Sequence, residues 1–485
     1  MNNYTNFIGG EWVAAKSGET FQNVNPADTR EVVAEYAAGG AEDATAAIDS
    51  AQAAFAGWAG MTPVARGRVL SKTAEILATR KQALTELLTQ EEGKTLFESG
   101  LEVGRAIDIF RFFGGNSYTI GGQTFPHDMP NILMYTTRQP LGVVGLITPW
   151  NFPIAIPAWK LAPALVSGNT VVLKPASQAP ALSFEIAKAL DEAGLPKGVL
   201  NVVSGSGSKV GNAIATHDAV KAVSFTGSYA IGQQIYKQIA ERMARPQMEM
   251  GGKNPTIVLA DADLDLAAQL TAVAGFGLTG QACTATSRAI VEKSVVDEFT
   301  EKLVAKAKAI KVGNGAHEGV NMGPAVNQQE FEGNLEYIKI AQEEGAKVVC
   351  GGNALTEGDL AHGYYMEPTV IGGVTPDMRI AQEEVFGPVV AVIPVEDYDE
   401  AIEVANQVEF GLSASIVTKD YKNAMLYTNR IEAGVVKVNQ ISTGLALNVP
   451  FGGVKHSSSD SFKEQGPGAI DFYTKIKTVY LDYSA

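Results

Sequence analysis

The chain has 485 residues, which exceeds what one hydrophobic core usually supports, so two or three domains are expected. Its hydrophobic content of 46% with 19% charged residues is typical of a soluble globular protein. The formal net charge of −15 argues against a nucleic acid or an anionic membrane surface as partner.

Segments that would mark export, membrane insertion or metal binding are not evident. The first residues, MNNYTNFIGGEW, have neither a basic region nor an apolar one, and no apolar run approaches the roughly 18 residues that a membrane span needs. The two cysteines, Cys283 and Cys350, are too far apart in sequence to indicate a disulfide framework. The histidines do not have metal-ligand spacing. We therefore expect a cytoplasmic protein that binds no metal.

The hydrophobic pattern changes along the chain from helical to alternating. Helical periodicity covers residues 41–58, 63–92 and 107–118. After residue 142, short β-branched runs at 143–148, 170–174, 199–203 and 220–226 alternate with amphipathic stretches at 180–193, 207–216 and 229–242. Strands and helices of these lengths predict right-handed βαβ units and a parallel, doubly wound sheet.

A second alternating series follows, with strand-like runs at 256–260, 287–292, 347–351, 389–395, 414–418 and 434–439. Residues 134–144 and 474–483 alternate as exposed antiparallel strands do, and each needs a partner. The fold prediction is α/β, with two doubly wound α/β domains and a small β unit. The first predicted domain comprises 1–121 and 142–252, the second 253–450, and the small β unit 122–141 and 470–485.

Three short segments carry side chains suited to covalent catalysis. Cys283 lies in GQACTATSR, at a junction between a helix-like stretch and a strand-like one, which makes it a candidate nucleophile. The alternative is a buried packing cysteine. Upstream, MEMGGKNP offers the acid Glu249 beside two glycines, and TPWNFP offers the amide of Asn151.

These segments, with LKPAS, FTGS, EEVFGPV and PFGGVK in the same order, resemble the aldehyde dehydrogenase superfamily over nearly the whole chain. The resemblance implies oxidation of an aldehyde to a carboxylate through a cysteine thiohemiacetal and a thioester. It also implies that the first predicted domain binds the cofactor and that the second is the catalytic domain. The small β unit would be a flap that pairs with a neighbouring subunit, so a homodimer or homotetramer is expected. The small-molecule partner would be an aldehyde.

The family's catalytic roles fall on the same three residues. Cys283 matches the nucleophile, Asn151 the amide that stabilises the oxyanion, and Glu249 the general base. Asn151 could instead be a turn residue before Phe152, and Glu249 a solvated acid. The methionines and glycines around Glu249 indicate a restricted site, which would raise its pKa toward that of a useful base.

The resemblance also implies NADP or NAD as cofactor. The turn after the strand at 220–226 is GxxxxG, a weak signal by itself, and it indicates a helix N-terminus near the pyrophosphate. Ser177 stands where NAD-preferring members often carry a glutamate; beside Lys174 it favours NADP, because the repulsion of a 2′-phosphate is removed. Glu384 could be a surface acid at a helix end instead of a cofactor contact. The predicted cofactor-binding residues are Thr148, Pro149, Trp150, Lys174, Pro175, Ser177, Gly227, Ser228, Gly232, Met250, Gly251, Glu384 and Phe386.

The predicted substrate contacts are Asn151, Trp159 and Thr284. Trp159 occupies the position where many semialdehyde dehydrogenases carry an arginine, and it could be a core aromatic or a substrate wall. GQACTATSR, FGLSAS, the serine run after PFGGVK and DFYTKIKTVY together are similar to the α-ketoglutaric semialdehyde (2,5-dioxovalerate) dehydrogenase branch. The alternatives are succinate semialdehyde, a broad range of aliphatic aldehydes, and acylating chemistry with coenzyme A, which the retained Glu249 disfavours. A non-catalytic protein with this fold is a remote alternative.

Overall fold

The computed structural model describes residues 2–484, in which 22 strands and 15 helices are formed. The strands are β1 (Asn2–Tyr4), β2 (Asn6–Ile8), β3 (Glu11–Val13), β4 (Thr20–Asn25), β5 (Asp28–Ala37), β6 (Thr124–Phe125), β7 (Ile132–Pro140), β8 (Val143–Ile147), β9 (Thr170–Lys174), β10 (Leu200–Val202), β11 (Val220–Gly227), β12 (Arg245–Met250), β13 (Asn254–Val258), β14 (Thr286–Glu292), β15 (Lys347–Cys350), β16 (Thr369–Gly372), β17 (Val389–Val395), β18 (Phe410–Gly411), β19 (Ser413–Val417), β20 (Val435–Val438), β21 (Val454–Lys455) and β22 (Thr474–Asp482).

The helices are α1 (Ala41–Gly60), α2 (Pro63–Thr79), α3 (Lys81–Glu92), α4 (Leu96–Asn116), α5 (Ala155–Val166), α6 (Ala181–Glu192), α7 (Asn212–Thr216), α8 (Tyr229–Glu241), α9 (Leu264–Phe276), α10 (Val296–Lys308), α11 (Gln328–Glu343), α12 (Arg379–Gln382), α13 (Tyr398–Asn406), α14 (Tyr421–Arg430) and α15 (Gly466–Tyr473). Across residues 2–484, no helix combines the length and apolarity needed to cross a bilayer.

The first large sheet has the strand order β12-β11-β8-β9-β10-β2-β3. Its first five strands are parallel, and β2 and β3 add an antiparallel edge. Strand β8 is buried along its length because helices cover both faces: Val144 and Leu146 join one core cluster, Val143 and Ile147 another. Strand order reverses between β8 and β11, which places a crevice at the carboxyl ends of these two strands.

The second large sheet has the order β15-β16-β17-β14-β13-β19-β20 and is parallel except for β15. It too is packed on both faces by separate core clusters. A third, small sheet pairs β22 with β7 over nine residues, from Thr474 opposite Pro140 to Asp482 opposite Ile132, and β6 adds its edge. The predicted fold class, two doubly wound α/β units and a small β flap, is confirmed.

Some local predictions were wrong or incomplete. The helical pattern predicted over 63–92 is interrupted at Arg80, so that α2 and α3 are separate helices. Strand β12 was not predicted, because its register with β11 is a tertiary pairing and its sequence, RPQMEM, has no clear alternation. Strands β1 to β5 were also missed: β1, β2 and β3 have only three residues each, and β4 and β5 lack a clear alternation of apolar and polar residues.

Candidate active site

Both large sheets contribute to one cavity of about 430 Å³. On the side of the first large sheet, the cavity is lined by the turn after β8 and by the ends of β11 and β12. On the opposite side it is lined by loops of the second large sheet and by helix α11. The lining residues are Pro149, Trp150, Asn151, Ile156, Trp159, Thr226, Gly227, Ser228, Glu249, Met250, Gly251, Cys283, Gln329, Glu330, Gly333, Tyr337, Glu384, Val385, Phe386, Leu412 and Phe451. Cys283, Glu249 and Asn151, which lie up to 132 residues apart in sequence, therefore meet in one cavity.

Cys283 follows a strained loop. Leu278 and Thr279 adopt left-handed conformations, with φ of 54° and 57°, which non-glycine residues seldom do. Gly280 continues the loop at φ 68°, and a side chain there would meet the main chain of Gly387. Strain of this kind persists only where the surroundings hold it, as they do at functional sites.

The Cys283 thiol is held in an environment that keeps it protonated. Burial, followed by the nearby carboxylates of Glu384, Glu249 and Glu464, raises the pKa of the Cys283 thiol above its ordinary value. Its carbonyl oxygen accepts a hydrogen bond from Asn254 Nδ2 at 2.8 Å, which fixes the main chain. Nucleophilic use of this thiol therefore requires that it first lose its proton.

Asn151 is held by its side chain and its main chain. Its Nδ2 donates to the Gln281 carbonyl oxygen at 3.0 Å, two residues before Cys283. Its own carbonyl oxygen accepts from Lys94 Nζ at 2.7 Å. The amide is only 4% exposed, so a donor from it to a developing negative charge would act without competition from bulk water.

Glu249 is the last residue but one of β12, and it is 2% exposed. Its Oε2 accepts from the Gly453 N–H at 3.3 Å, whereas Oε1 has no hydrogen-bond partner. Burial, and then repulsion by the Glu464 carboxylate, raises the pKa of Glu249 well above its ordinary value. A buried carboxyl with one unused oxygen and a raised pKa is suited to accept a proton.

The crevice of the first sheet fits a dinucleotide. Helix α8 begins after Ser228 without a side-chain cap, and the buried hydroxyls of Thr148 and Thr226 lack partners. Gly232 must be small, because a Cβ there would lie 2.5 Å from Met250 Sδ. Free donors of this kind, at a helix N-terminus and along the carboxyl edge of a parallel sheet, are suited to bind a pyrophosphate.

Lys174 and Ser177 lie at the end of β9, beside the same edge. Lys174 is 6% exposed, its Nζ donates to the Pro175 carbonyl oxygen at 2.8 Å, and burial lowers its pKa to about 8. Ser177 Oγ donates to the Gly205 carbonyl oxygen at 3.1 Å. Among the ion pairs formed within residues 2–484, none involves Lys174.

Glu384 and Phe386 occupy the second-sheet wall of the cavity. Glu384 Oε1 accepts from the Gly252 N–H at 2.9 Å, and burial raises its pKa to about 7. A Cβ at Gly251 would lie 1.9 Å from Glu384 Oε2, so the Glu384 carboxylate can keep this position only beside a glycine. Phe386, at φ 62°, meets Trp150 edge-on with ring centroids 5.4 Å apart. Glu384 is thus a cavity group, and the alternative of a surface acid is wrong.

The cavity wall does not include every residue that the sequence predicted for the site. Thr284 is buried, and its carbonyl oxygen accepts from Ser442 Oγ at 2.7 Å, but it is absent from the lining. Its substrate contact stays a prediction. The other predicted residues outside the lining are Thr148, Lys174, Pro175, Ser177 and Gly232, which belong to the carboxyl edge of the first sheet.

Sequence reasoning missed a buried polar network behind Glu249. Lys160 Nζ donates to Ser224 Oγ at 2.6 Å and pairs with Glu464, and Ser224 Oγ donates to Gln247 Oε1 at 2.7 Å. The signal for Lys160 was present, since a lysine in an otherwise apolar helix needs a buried partner. The partner, Glu464, lies 304 residues away and could not be identified from the chain.

The serine run also has a structural role that was not predicted. Ser457 is fully buried; its Oγ donates to the Gly251 carbonyl oxygen at 2.7 Å and accepts from the Gly411 N–H at 3.1 Å. This hydroxyl joins the turn after Glu249 to β18, which pairs with β21 in a separate two-stranded sheet. Within the described range 2–484, no cluster of three His, Cys, Asp or Glu side chains is arranged to hold a metal ion.

Comparison with known proteins agrees with this geometry. The family model of the aldehyde dehydrogenase family matches residues 12–479. Alpha-ketoglutarate semialdehyde dehydrogenase of Haloferax volcanii is 53% identical over 480 residues, 99% of each chain. The alpha-ketoglutaric semialdehyde dehydrogenase of Bacillus subtilis is 46% identical, covering 99% of this chain and 98% of the relative.

A crystal structure of betaine aldehyde dehydrogenase from Staphylococcus aureus, in complex with NAD+, superimposes with a TM-score of 0.96 at 35% identity, covering 99% of this chain and 95% of that one. The match to the family model and the full-length relatives show that the chain is an oxidoreductase. This chain belongs to the aldehyde dehydrogenase family.

Proposed function

We propose that this enzyme oxidises α-ketoglutaric semialdehyde (2,5-dioxopentanoate) to the dicarboxylate, with Cys283, Asn151 and Glu249 as its catalytic residues. The observation that carries the catalytic assignment is their convergence in one cavity of about 430 Å³. The substrate assignment is supported by the Haloferax and Bacillus relatives, which match the chain from end to end.

Each catalytic residue has one task in this mechanism. The Cys283 thiol gives up its proton to solvent, and its sulfur adds to the aldehyde carbon as the C=O π bond opens. The oxyanion that forms accepts hydrogen bonds from Asn151 Nδ2 and the Cys283 main-chain N–H. Cleavage of the C–H bond of this thiohemiacetal, with loss of two electrons and one proton together as hydride, leaves a thioester on Cys283. Glu249 then takes a proton from water, whose oxygen attacks the thioester carbon, and the carboxylate leaves as the thiol is regenerated.

A nicotinamide cofactor, when bound, supplies the two-electron acceptor for this oxidation. It would be held by the N-terminus of α8, with Gly227 and Ser228, and by Thr148 and Lys174 at the carboxyl edge of the first large sheet. Glu384 and Phe386 would contact it from the opposite wall of the cavity. We propose that NADP is used at least as well as NAD, because Lys174 has only a main-chain acceptor and Ser177 carries no charge to repel a 2′-phosphate.

One observation favours a second candidate, oxidation of neutral aldehydes. Trp159 and Phe451 line the cavity with ring centroids 6.0 Å apart, beside Ile156 and Leu412. Among the lining residues of the described chain none is a lysine or arginine, whereas three are glutamates. A substrate with a distal carboxylate would have to meet a cation beyond this wall, and a neutral aldehyde would not.

An aldehyde panel run with both cofactors tests these proposals. The expected result is that kcat/KM is highest for α-ketoglutaric semialdehyde, lower for succinate semialdehyde, and lower again for pentanal, the chain-length match without the keto and carboxylate groups. Preference for pentanal would overturn the substrate proposal and support the second candidate. A kcat/KM with NAD well above that with NADP would overturn the cofactor proposal.

We also propose that the chain divides into two functional α/β units, one around each large sheet, and a small flap through which it associates. The flap sheet of β6, β7 and β22 exposes large apolar side chains, including Leu133, Ile476 and Tyr480, which a soluble monomer would leave in water. Light scattering should give a dimer or tetramer, and Ile476→Lys should shift it toward monomer. A monomeric wild type would contradict this. Cytoplasmic location and the absence of nucleic-acid or membrane partners stay predictions of the sequence.

A further inference from the structure

Three charged side chains on the segment 94–102 contact both the turn that carries Asn151 and the loop that leads to Cys283. We call these three residues, Lys94, Glu98 and Glu102, the brace. The segment runs from the end of the loop after α3 into the second turn of α4. Lys94 and Glu102 are 2% and 5% exposed, although charged residues are almost never buried without a specific reason. None of the three lines the cavity, so direct contact with substrate does not supply that reason.

Lys94 and Glu102 hold the turn that carries Asn151. Lys94 Nζ donates to the Asn151 carbonyl oxygen at 2.7 Å and to Glu102 Oε2 at 2.7 Å. Glu102 Oε1 accepts from the N–H groups of Ile154 and Ala155, at 3.0 and 3.1 Å, where α5 begins. The turn from 151 to 155 is thus held at both ends by one buried ion pair.

Lys94 is kept charged in this position. Burial alone would lower its pKa, but the attraction of Glu102 and then Glu92 outweighs burial and raises the pKa of Lys94 above its ordinary value. The Lys94 ammonium also lies over the Phe152 ring, 4.7 Å from its centroid, next to Asn151 in the chain. The brace therefore makes charge-assisted hydrogen bonds to main-chain groups, which are stronger than neutral ones.

Glu98 holds the other half of the site. Its Oε1 accepts from the Leu278 N–H at 2.7 Å, in the strained loop that leads to Cys283. Its Oε2 accepts from the Thr95 N–H at 2.9 Å, which closes the capping box of α4. One helical turn therefore separates the carboxylate that fixes the cysteine loop from the carboxylate that fixes the asparagine turn.

We infer that the brace is a set of positioning residues that sets the distance between the Asn151 amide and the Cys283 sulfur. The inference rests on the proposed catalytic roles of Asn151 and Cys283. Without the brace, Asn151 Nδ2 keeps its bond to the Gln281 carbonyl oxygen but loses the constraint that aims it at the oxyanion. A displacement of about 1 Å from reactive geometry can cost on the order of a hundredfold in rate.

The test uses the double variant Lys94→Met/Glu102→Gln in the full-length enzyme, which removes both charges of the pair together. Glu92, 3.7 Å from Lys94 Nζ, can give up its own charge by protonation, because burial raises its pKa to about 8. Rapid mixing with aldehyde and NADP measures the burst of reduced cofactor. We expect the burst rate to fall about tenfold to a hundredfold, with KM for NADP little changed. The rate of Cys283 alkylation by iodoacetamide should stay near wild type, because alkylation forms no oxyanion. An exposed ion pair provides the matched control, Lys302→Met/Asp265→Asn, which should leave the burst unchanged.

A double-mutant cycle with Asn151→Ala separates positioning from general destabilisation. If the brace acts through Asn151, removing it from the Asn151→Ala enzyme should cost much less than removing it from wild type. Full additivity, or an unchanged burst in the brace variant, would overturn the inference. If Asn151→Ala itself leaves the burst intact, the proposed oxyanion role fails instead. If the double variant does not fold, Glu102→Asp, which retains the charge and shortens the side chain by one methylene group, replaces it in the same double-mutant cycle.

Discussion

Replacing Glu249 with glutamine separates the two halves of the proposed mechanism. The substitution preserves shape: the amide oxygen can still accept from the Gly453 N–H, and the rest of the β12 end is unchanged. What disappears is the unpartnered, buried Oε1 that would take a proton from water. Formation of the thioester precedes that step, so reduced cofactor should still appear in the first turnover.

The size of the effect follows from the loss of general-base catalysis, which contributes about 10²–10⁴-fold. This corresponds to about 3–5 kcal/mol of activation free energy, at 1.36 kcal/mol for each factor of ten. We expect kcat to fall by at least about a hundredfold, the lower end of this range.

Stopped-flow measurement of reduced cofactor provides the assay. Wild type and Glu249→Gln should both give a burst approaching one equivalent per active site, followed by a much slower steady state in the variant. Absence of a burst, in a variant shown to bind cofactor, would refute the order of steps, because Glu249 would then be needed before oxidation. Asn151→Ala is the contrasting variant, since it should slow the burst itself.

Stability provides a second readout of the same substitution. Burial and Glu464 raise the folded-state pKa of Glu249 above its unfolded value, so the wild type loses stability as pH rises from the unfolded pKa through the folded one. Glutamine does not ionise and escapes this loss. The variant should therefore have a Tm equal to or above that of the wild type at neutral pH, with a smaller difference near pH 4. A Tm well below that of wild type at neutral pH would contradict the assigned environment.

Three further predictions concern the thiols and the cofactor edge. Cys283→Ala should abolish dehydrogenase activity, whereas Cys350→Ala, in the edge strand β15, should leave kcat near wild type. Equal losses of kcat in the two folded variants would contradict the assignment of Cys283 as the nucleophile. Ser177→Glu should lower kcat/KM for NADP by about tenfold for each 1.4 kcal/mol of repulsion, and leave NAD favoured; a wild-type preference for NAD that the change does not alter would show that other residues close the phosphate site. Because burial lowers the pKa of Lys174 to about 8, its positive charge is present below that pH and lost above it, so KM for NADP should rise through pH 8 more than KM for NAD. Parallel profiles for the two cofactors would exclude Lys174 from phosphate binding.

Much of this protein could be predicted from the sequence because the decisive signals are local. Short, mostly apolar strands at 143–148, 170–174 and 220–226 alternate along the chain with helical stretches. This pattern predicts a doubly wound parallel sheet, because strands buried on both faces are largely apolar. Cys283 and Glu249 stand in short segments whose composition is unusual by itself. Each is recognisable without knowledge of its neighbours in space.

Only the tertiary structure decided how these segments meet. The pairing of Lys160 with Glu464 and the contact of Glu98 with Leu278 join residues 304 and 180 positions apart, and no periodicity encodes such pairs. The raised pKa of Glu249 likewise depends on burial and on a carboxylate from a distant loop. Local sequence determines which chemical groups the chain carries and which elements hold them. Their mutual distances, desolvation and charge coupling arise from packing, and these set what the groups can do.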